Sequence, residues 1–408
     1  MTPARADRLA PVIARKTRAP PPRCVDSRGR ARSSFNKDGR TGCVGRSTSM
    51  TLLADATTAQ HARGIRTVVD GILNELPRVA HNAIVAAGPD LRGTDGLRLR
   101  RIPGGGTRAG RLLYQRILLP ADVSLLSAGA GRIDRVLLLD SYVPLVRPQR
   151  RLRYAALVHD TLPLTHPSFW PRPNQLVKRS AFAALKRARP VLFVSSDFNA
   201  REIKRLLGLS ARVVQFGCGQ LLDAEADDAC VSELPEQKPY LISVGAIEAR
   251  KDTLSLLDAF ELSAPSLAGD VRLLIVGSGR GSYYDAVRGR VDRSPYSDRL
   301  EFLHDQTREA TLRWLASARA LLFPSLAEGF GLPILEALAL GTPVVASDIP
   351  AIRSWAGDAI AYGSPARPVD WVAPIVSALE TSADRRRSGQ AFARGFRWRD
   401  CADGIVDF

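Results

Sequence analysis

One stretch of the chain, residues 323–349, constrains the fold more than any other. It reads FPSLAEGFGLPILEALALGTPVVASDI. The apolar run that ends at Phe323 predicts a strand, and a loop broken by two glycines follows it. Pro333 is tolerated in a first helical turn, Gly341 is a typical helix end, and apolar Val344 to Ala346 predicts the next strand. The stretch therefore predicts strand, loop, helix and strand in succession, the unit from which parallel α/β sheets are built.

Two carboxylates flank the start of this helix. Glu328 lies in the loop before it, and Glu336 lies about one turn inside it. A helix N-terminus attracts phosphate, whereas carboxylates accept hydrogen bonds from sugar hydroxyls. The pair therefore suits a ligand that is half phosphate and half polyol. The spacing alone leaves a second interpretation open, a solvated Glu328 and a Glu336 on a surface face of the helix.

The positive charge is confined to two segments of the chain. Of the net charge of +17, residues 1–49 hold 12 Lys and Arg against three Asp, and residues 95–155 hold 12 Arg against four Asp. The remainder is balanced, with 34 basic against 34 acidic residues. A positive charge confined to two segments affects which partners the protein binds rather than how the chain folds.

Length and cysteine usage place the protein among intracellular two-domain proteins. The 408 residues are enough for two ordinary domains. Five cysteines are scattered without metal or redox spacing, which fits free thiols in a reducing cytosol. No apolar run approaches the roughly 18 residues of a membrane span, and no apolar signal-peptide core is present at the N-terminus. We expect a cytoplasmic protein, either free or peripheral at the inner face of the membrane.

Residues 1–49 predict a disordered basic extension, since they are rich in Arg, Pro and Ser. Met1 and Met50 are the only methionines, and a strand-like run begins directly after Met50. We therefore expect the working polypeptide to start at Met50. Two alternative interpretations of this segment stay open, an Arg-rich transit peptide and a nucleic-acid-binding arm. For the protein as a whole we expect no nucleic-acid partner.

Two further features lie in the first half of the chain. Gly64 precedes an amphipathic helix, and this order of glycine loop and helix again suits phosphate, although an ordinary helix start is the alternative. From Arg108 to Ile117 the pattern predicts a basic amphipathic helix. Such a helix suits an anionic membrane surface or an anionic acceptor, and a solvated charged face is the alternative.

Candidate ligand-binding residues follow three of the predicted strands. His159 ends the apolar run Tyr154 to Val158, and in parallel sheets this strand end is where ligands bind, although a buried structural histidine is the alternative. The adjacent cations Arg250 and Lys251 follow the next domain's first strand and suit a diphosphate, whose negative charge they would offset. Gly277 ends another strand and predicts a loop that lines a nucleotide.

These motifs together resemble a known family. EGFGLPxLEA with its E-x7-E spacing, VHDxxPLxHP around His159 and GxxExRK ending at Lys251 are similar to the donor-site signature of family 4 retaining glycosyltransferases, also called group 1. The resemblance implies an α/β GT-B fold, in which two Rossmann-like, doubly wound domains face each other across a cleft. The expected organisation is an extension (1–49), an acceptor-side domain (50–218), a linker (219–238), a nucleotide-sugar domain (239–390) and a C-terminal helix returning to the first domain (391–408).

The resemblance also implies residue roles. Glu328 would hold the hydroxyls of the transferring sugar, and His159 would lie beside that sugar, so both are candidate catalytic residues. The candidate donor-binding residues are Gly64, Arg250, Lys251, Gly277, Phe330, Gly331, Leu332 and Glu336. Two positions depart from the family pattern: Ala246 stands where many relatives carry Arg, and Thr67 stands where an aromatic residue is common.

The implied reaction is transfer of a hexose from a nucleotide sugar, with GDP-mannose favoured, to a glycan or polyprenyl-linked acceptor in cell-surface polysaccharide synthesis. No metal and no cofactor beyond this co-substrate is expected, since the chain has no Asp-x-Asp pair and no His pair at helical spacing. Two alternatives stay open. One is a nucleotide-sugar epimerase of the same fold, and the other is a non-catalytic protein that binds nucleotide sugars or anionic lipid.

Overall fold

The computed structural model describes residues 51–56, 63–80, 82–87, 96–102, 133–140, 151–218, 221 and 239–408. The predicted N-terminal extension, the basic helix from Arg108 to Ile117 and the linker 219–238, apart from residue 221, lie outside these residues.

Seven parallel strands form the sheet of the first domain within the described residues. Their order across the sheet is β3-β2-β1-β4-β5-β6-β7. The strands that were predicted as apolar runs are buried on both faces, as expected for a parallel sheet covered by helices. The strands are β1 (Thr51–Asp55), β2 (Ala83–Ala87), β3 (Arg98–Arg101), β4 (Ile133–Leu138), β5 (Arg153–Val158), β6 (Val191–Val194) and β7 (Ala211–Val213).

The helices of this domain connect the strands. Ser196 caps the fourth of these helices, because its Oγ accepts a hydrogen bond from the amide of Asn199 at 3.3 Å. Helix α1 begins one residue before Gly64, which therefore lies in the first helical turn and not in a loop as predicted. The helices are α1 (Arg63–Val79), α2 (Leu162–Thr165), α3 (Arg172–Ala188) and α4 (Asp197–Leu207).

The second domain repeats the design with six parallel strands in the order β10-β9-β8-β11-β12-β13. The strands are β8 (Tyr240–Val244), β9 (Arg272–Val276), β10 (Leu300–Leu303), β11 (Ala320–Phe323), β12 (Val344–Ser347) and β13 (Ala361–Gly363). The helices are α5 (Thr253–Ser263), α6 (Ser282–Asp292), α7 (Arg308–Ser317), α8 (Leu332–Ala339), α9 (Pro350–Ala356), α10 (Val372–Leu379), α11 (Ala383–Ala393) and α12 (Trp398–Val406). The two parallel sheets are the pair of Rossmann-like units that the GT-B fold requires.

The strand order reverses once in each sheet, and each reversal opens a crevice. In the first sheet β1 lies between β2 and β4, and in the second sheet β8 lies between β9 and β11. At such a switch point the loops at the carboxyl ends of neighbouring strands diverge, and ligands bind between them. The loops after β8 and β11 are therefore neighbours, although almost eighty residues separate them in the sequence.

The C-terminal helix α12 packs on the first domain. Trp398 at its start lies directly on α1: an ideal Cβ at Gly71 would be 2.3 Å from the Trp398 ring. At the other end, Arg135 donates a hydrogen bond to the carbonyl of Val406 at 2.5 Å and Arg212 to that of Asp407 at 2.8 Å. Cations at a helix C-terminus offset its partial negative charge, so they hold α12 against the first sheet. The predicted boundary at residue 390 lies within α11.

The two domains share one apolar core. An aromatic cluster of Phe216, Phe330, Phe396 and Trp398 belongs to a single apolar core that includes residues of both sheets and of α12. Among the described residues, no helix has both the length and the apolar character needed to cross a bilayer.

Candidate active site

A buried carboxylate bound by two cations lies at the switch point of the second sheet. Oε1 of Glu328 accepts hydrogen bonds from Nη1 of Arg250 at 2.7 Å and from Nζ of Lys251 at 2.6 Å. Only 9% of Glu328 is exposed. The structure therefore brings together a predicted catalytic residue and two predicted diphosphate ligands.

Backbone pairing explains why these side chains meet. Strand β11 pairs with β8, so the loops that follow them run side by side. The amide of Leu326 donates to the carbonyl of Arg250 at 2.8 Å, and Nη1 of Arg250 donates in return to the carbonyl of Ala327 at 3.0 Å. The two loops are thus tied together by one main-chain bond and one side-chain bond at the two residues that precede Glu328.

The charges of the cluster hold Glu328 ionised. Burial alone would raise its pKa, but the charges of Arg250 and Lys251 outweigh burial and lower the pKa to about 2. Burial lowers the pKa of Lys251, and the charge of Glu328 opposes this effect. The three groups together carry one net positive charge. A lysine and an arginine offer eight N–H donors between them, so the pair retains capacity to bind an anion.

Glycine is required where the loops after β8 and β9 cross. An ideal Cβ at Gly277 would lie 1.8 Å from the carbonyl oxygen of Gly245, closer than any real contact. The same loop carries Lys251 alongside it, since an ideal Cβ at Gly245 would be 3.5 Å from Cε of Lys251. Gly277 therefore lies in the loop pair that also carries the two cations.

Helix α8 begins directly after the Glu328 loop. Gly331 precedes it with φ of +90°, a left-handed conformation that favours glycine, and Leu332 is its first residue. The first N–H groups of a helix have no acceptor within the helix, and they carry a partial positive charge. This end of α8 is thus a second positive feature beside Arg250 and Lys251.

Phe330 contributes its backbone to this loop and its ring to the core. The ring is stacked on Trp355 with centroids 4.4 Å apart and an interplanar angle of 12°. Nε1 of Trp355 also donates to the carbonyl of Phe330 at 2.8 Å. Because the side chain is only 4% exposed, a ligand would meet the main chain of Phe330 and not its ring. Trp355 was missed from the sequence, where nothing in its helical spacing separates it from an ordinary core residue.

Glu336 lies one turn inside α8 and is 7% exposed. Its Oε1 is 2.9 Å from Nη2 of Arg308 at the start of α7, and Nη1 of Arg308 donates to Oγ1 of Thr67 at 3.3 Å. Arg308 thus links the second domain to α1 of the first. Gly64 lies one turn before Thr67 and is exposed, with no atom within 4 Å of an ideal Cβ, so local packing does not require glycine there.

His159 brings the first domain to the Glu328 loop. The histidine is 8% exposed, and its Nε2 is 2.9 Å from the carbonyl oxygen of Leu139. Since a carbonyl oxygen only accepts, Nε2 of His159 donates this hydrogen bond. An ideal Cβ at Gly329 would lie 2.3 Å from the carbonyl oxygen of His159. The two predicted catalytic residues therefore lie on loops that touch across the cleft.

The described residues contain no group of three or more His, Cys, Asp or Glu side chains that could hold a metal ion. The positive charges of the site come from Arg250, Lys251 and the start of α8.

Comparison with known proteins identifies the family. The family model described as glycosyl transferases group 1 matches residues 226–392. Over 275 residues the chain is 30% identical to the O-antigen chain mannosyltransferase B of Escherichia coli, a match that covers 64% of this chain and 71% of that protein. The chain belongs to the group 1 glycosyltransferases. The family model spans the second-domain site residues, whereas Gly64 and His159 lie outside it.

Two further relatives of this group 1 glycosyltransferase support the family and the fold. It is 31% identical over 222 residues to the phosphatidyl-myo-inositol mannosyltransferase of Mycobacterium tuberculosis, covering 52% of this chain and 57% of that protein. The crystal structure of WaaG, a glycosyltransferase involved in lipopolysaccharide biosynthesis, superimposes with a TM-score of 0.66 at 16% identity and covers 88% of this chain and 100% of that one. The predicted GT-B fold is confirmed.

Proposed function

We propose that this group 1 glycosyltransferase transfers mannose from GDP-mannose to a glycan or polyprenyl-linked acceptor in cell-surface polysaccharide synthesis, with retention of the anomeric configuration and without a metal ion. The observation that carries the proposal is the buried Glu328 carboxylate paired with Arg250 and Lys251 beside the start of α8. The names of the E. coli and M. tuberculosis relatives and the sequence around His159 favour mannose as the sugar.

The donor would lie along the second domain. Glu336 would accept hydrogen bonds from the ribose hydroxyls, and its second oxygen remains for this purpose while Oε1 contacts Arg308. Arg250, Lys251 and the positive end of the α8 dipole would bind the diphosphate, with the backbone of Phe330, Gly331 and Leu332 at the junction between phosphate and sugar. The loop of Gly277 would line the nucleotide, and Gly64 would face the donor across the cleft.

The reaction breaks the bond between C1 of the sugar and the diphosphate oxygen, and the electron pair leaves with the diphosphate. Arg250 and Lys251 offset the negative charge that grows there. Glu328 is ionised, because its pKa is held at about 2, and an ionised carboxylate can accept hydrogen bonds from sugar hydroxyls and can offset positive charge that develops at C1. The acceptor hydroxyl then attacks from the face that the leaving group vacates, and its proton passes to the departing phosphate. His159 lies beside the sugar and orients it.

The acceptor would bind to the first domain. Its segment 95–155 carries an excess of eight positive charges, and Arg98, Arg100 and Arg101 on β3 are exposed. Polyprenyl-diphosphate acceptors are anionic and membrane-borne, so this surface would bind the acceptor and hold the enzyme at the inner face of the membrane.

The test is a panel of nucleotide sugars. Binding is screened by thermal shift with GDP-mannose, GDP-fucose, UDP-glucose, UDP-galactose and the free nucleotides, and transfer to lipid-linked acceptors is then followed by mass spectrometry. We expect GDP-mannose to be turned over, with the product's anomeric configuration retained by NMR. Turnover of a UDP-sugar alone, inversion at C1, or epimerisation of the donor without an acceptor would contradict the proposal.

A further inference from the structure

A side chain of the first domain binds the main chain next to Glu328. Asn199 lies in the first turn of α4 and is 1% exposed. Its Nδ2 donates to the carbonyl of Gly329 at 2.7 Å and to Oγ of Ser195 at 3.2 Å. Because a carbonyl oxygen only accepts, the bond to Gly329 decides which end of the amide faces the cleft.

The contact is closer than packing alone would produce. Gly329 fits between the domains only because it lacks a side chain: an ideal Cβ would lie 2.3 Å from the carbonyl oxygen of His159 and 2.8 Å from Cβ of Asp160. The first domain thus meets the Glu328 loop twice at Gly329, through the backbone of His159 and through the amide of Asn199.

If Asn199 only stabilised the fold, an amide would be an unfavourable side chain at this buried position. Its Oδ1 has no hydrogen-bond partner among the described residues, although the side chain is buried. An unpaired buried acceptor costs free energy, and an apolar side chain of the same shape would avoid the cost. Outside its own segment, this amide donates a hydrogen bond to the carbonyl of Gly329. The advantage of an amide over an apolar side chain at this position is therefore the bond that it makes at the cleft.

We infer that Asn199 is a positioning residue for sugar transfer: it holds the backbone of Gly329 so that Glu328 faces the sugar at the point where the two domains meet. The inference rests on the proposed role of Glu328. The carboxylate of Glu328 is held by Arg250 and Lys251 of the second domain, whereas its neighbour Gly329 is held by the first. The side chains proposed to hold the ribose and the diphosphate lie in the second domain, so Asn199 acts on the transfer step and not on nucleotide affinity.

The test compares three variants. Asn199→Asp keeps the size of the side chain but replaces the donor with an acceptor that repels the Gly329 carbonyl, and Asn199→Ala removes the side chain beyond Cβ. Ser195→Ala is the matched control, because it removes the second bond of the same amide and leaves the bond to Gly329. We expect kcat to fall about 10-fold or more in both Asn199 variants, since small misplacements of reacting groups cost up to about 10²-fold. The affinity for free nucleotide, measured by calorimetry, should stay within about twofold of the wild type.

A second measurement does not depend on turnover. Amide hydrogen exchange at Glu328 and Gly329 should speed up in Asn199→Asp and Asn199→Ala and should not change in Ser195→Ala. Unaltered exchange there, or a fall in melting temperature with kcat retained, would show that Asn199 serves stability only and would overturn the inference. If the wild type transfers no sugar from any donor in the panel, the proposed function fails, but the exchange experiment still decides whether Asn199 positions the loop.

Discussion

The guanidinium of Arg308 lies 2.9 Å from the carboxylate of Glu336 and, through its other nitrogen, 3.3 Å from the hydroxyl of Thr67. The residue proposed to hold the ribose is therefore oriented by an arginine that also contacts the first domain. Arg308 is about half exposed, with 46% of its side chain accessible, so the pair is partly screened by water.

This pair leads to a prediction about nucleotide affinity. Glu336→Gln should raise the donor KM and weaken free nucleotide by about 1–3 kcal/mol with little change in kcat, since the ribose does not change during the reaction. Arg308→Ala should cost less, about 1 kcal/mol or below, because its ion pair is half exposed. Calorimetry with GDP measures both effects. Arg313→Ala, exposed on the same helix, is the control, and an effect of Arg313→Ala equal to that of Arg308→Ala would rule out a specific contribution from the Arg308–Glu336 pair.

Glu328 should behave differently from Glu336. If its carboxylate offsets charge that develops at C1, Glu328→Gln should lower kcat by about 10²-fold or more, the usual effect of losing one electrostatic contact in a transition state. Free nucleotide should still bind. Initial rates with the sugar donor, set beside calorimetry with the nucleotide, separate the two carboxylates; equal loss of nucleotide affinity with kcat retained would make Glu328 a binding residue only.

The pKa of Glu328 predicts how stability depends on pH. The folded state lowers this pKa from 4.5 to about 2, so the carboxylate stabilises the fold above about pH 4.5, and the contribution is lost as the pH falls toward 2. The shift corresponds to at most about 3 kcal/mol. Urea unfolding between pH 7 and pH 3 should show the wild type losing more stability than Glu328→Gln, so that the two curves converge on acidification. Parallel curves would mean that Glu328 is not held by its cations in solution.

We expect transfer to need no added metal, because Arg250, Lys251 and the start of α8 supply positive charge to the diphosphate. Initial rates should survive excess EDTA. If activity disappears with EDTA and returns only with Mg²⁺ or Mn²⁺, the proposed binding of the diphosphate by side chains is wrong.

Two glycines of α1 should respond to substitution with opposite signs. Gly71→Ala places a Cβ 2.3 Å from the Trp398 ring and should destabilise the protein by about 1–3 kcal/mol, because α12 must shift. Gly64→Ala meets nothing within 4 Å and should stabilise the helix by about 0.5–1 kcal/mol. Thermal unfolding of both variants measures the difference. A neutral Gly71→Ala would show that α12 is not packed against α1 in solution.

Much of the fold could be predicted from local patterns. The strands predicted from the apolar runs Tyr154 to Val158 and Val344 to Ala346 are present in the structure as β5 and β12. Such features depend on residues within a few positions of each other. The start of α1 was placed too late, because a glycine in a first helical turn cannot be told from a glycine in the preceding loop. Asn199 and Arg308 were missed as site residues for a different reason: their partners Gly329 and Glu336 are not near them in the sequence.

The sequence by itself determined the alternation of strands and helices, the glycine loops at strand ends and the acidic and basic residues that those loops carry, since each follows from local periodicity and turn chemistry. Only the tertiary structure decided that Arg250 and Lys251 reach the same oxygen of Glu328, that Asn199 binds Gly329 from the other domain, and that Arg308 joins Glu336 to Thr67. Which loops become neighbours depends on strand order, and which side chains touch across a cleft depends on how two domains pack. Neither is encoded in the spacing of residues along any one segment of the chain.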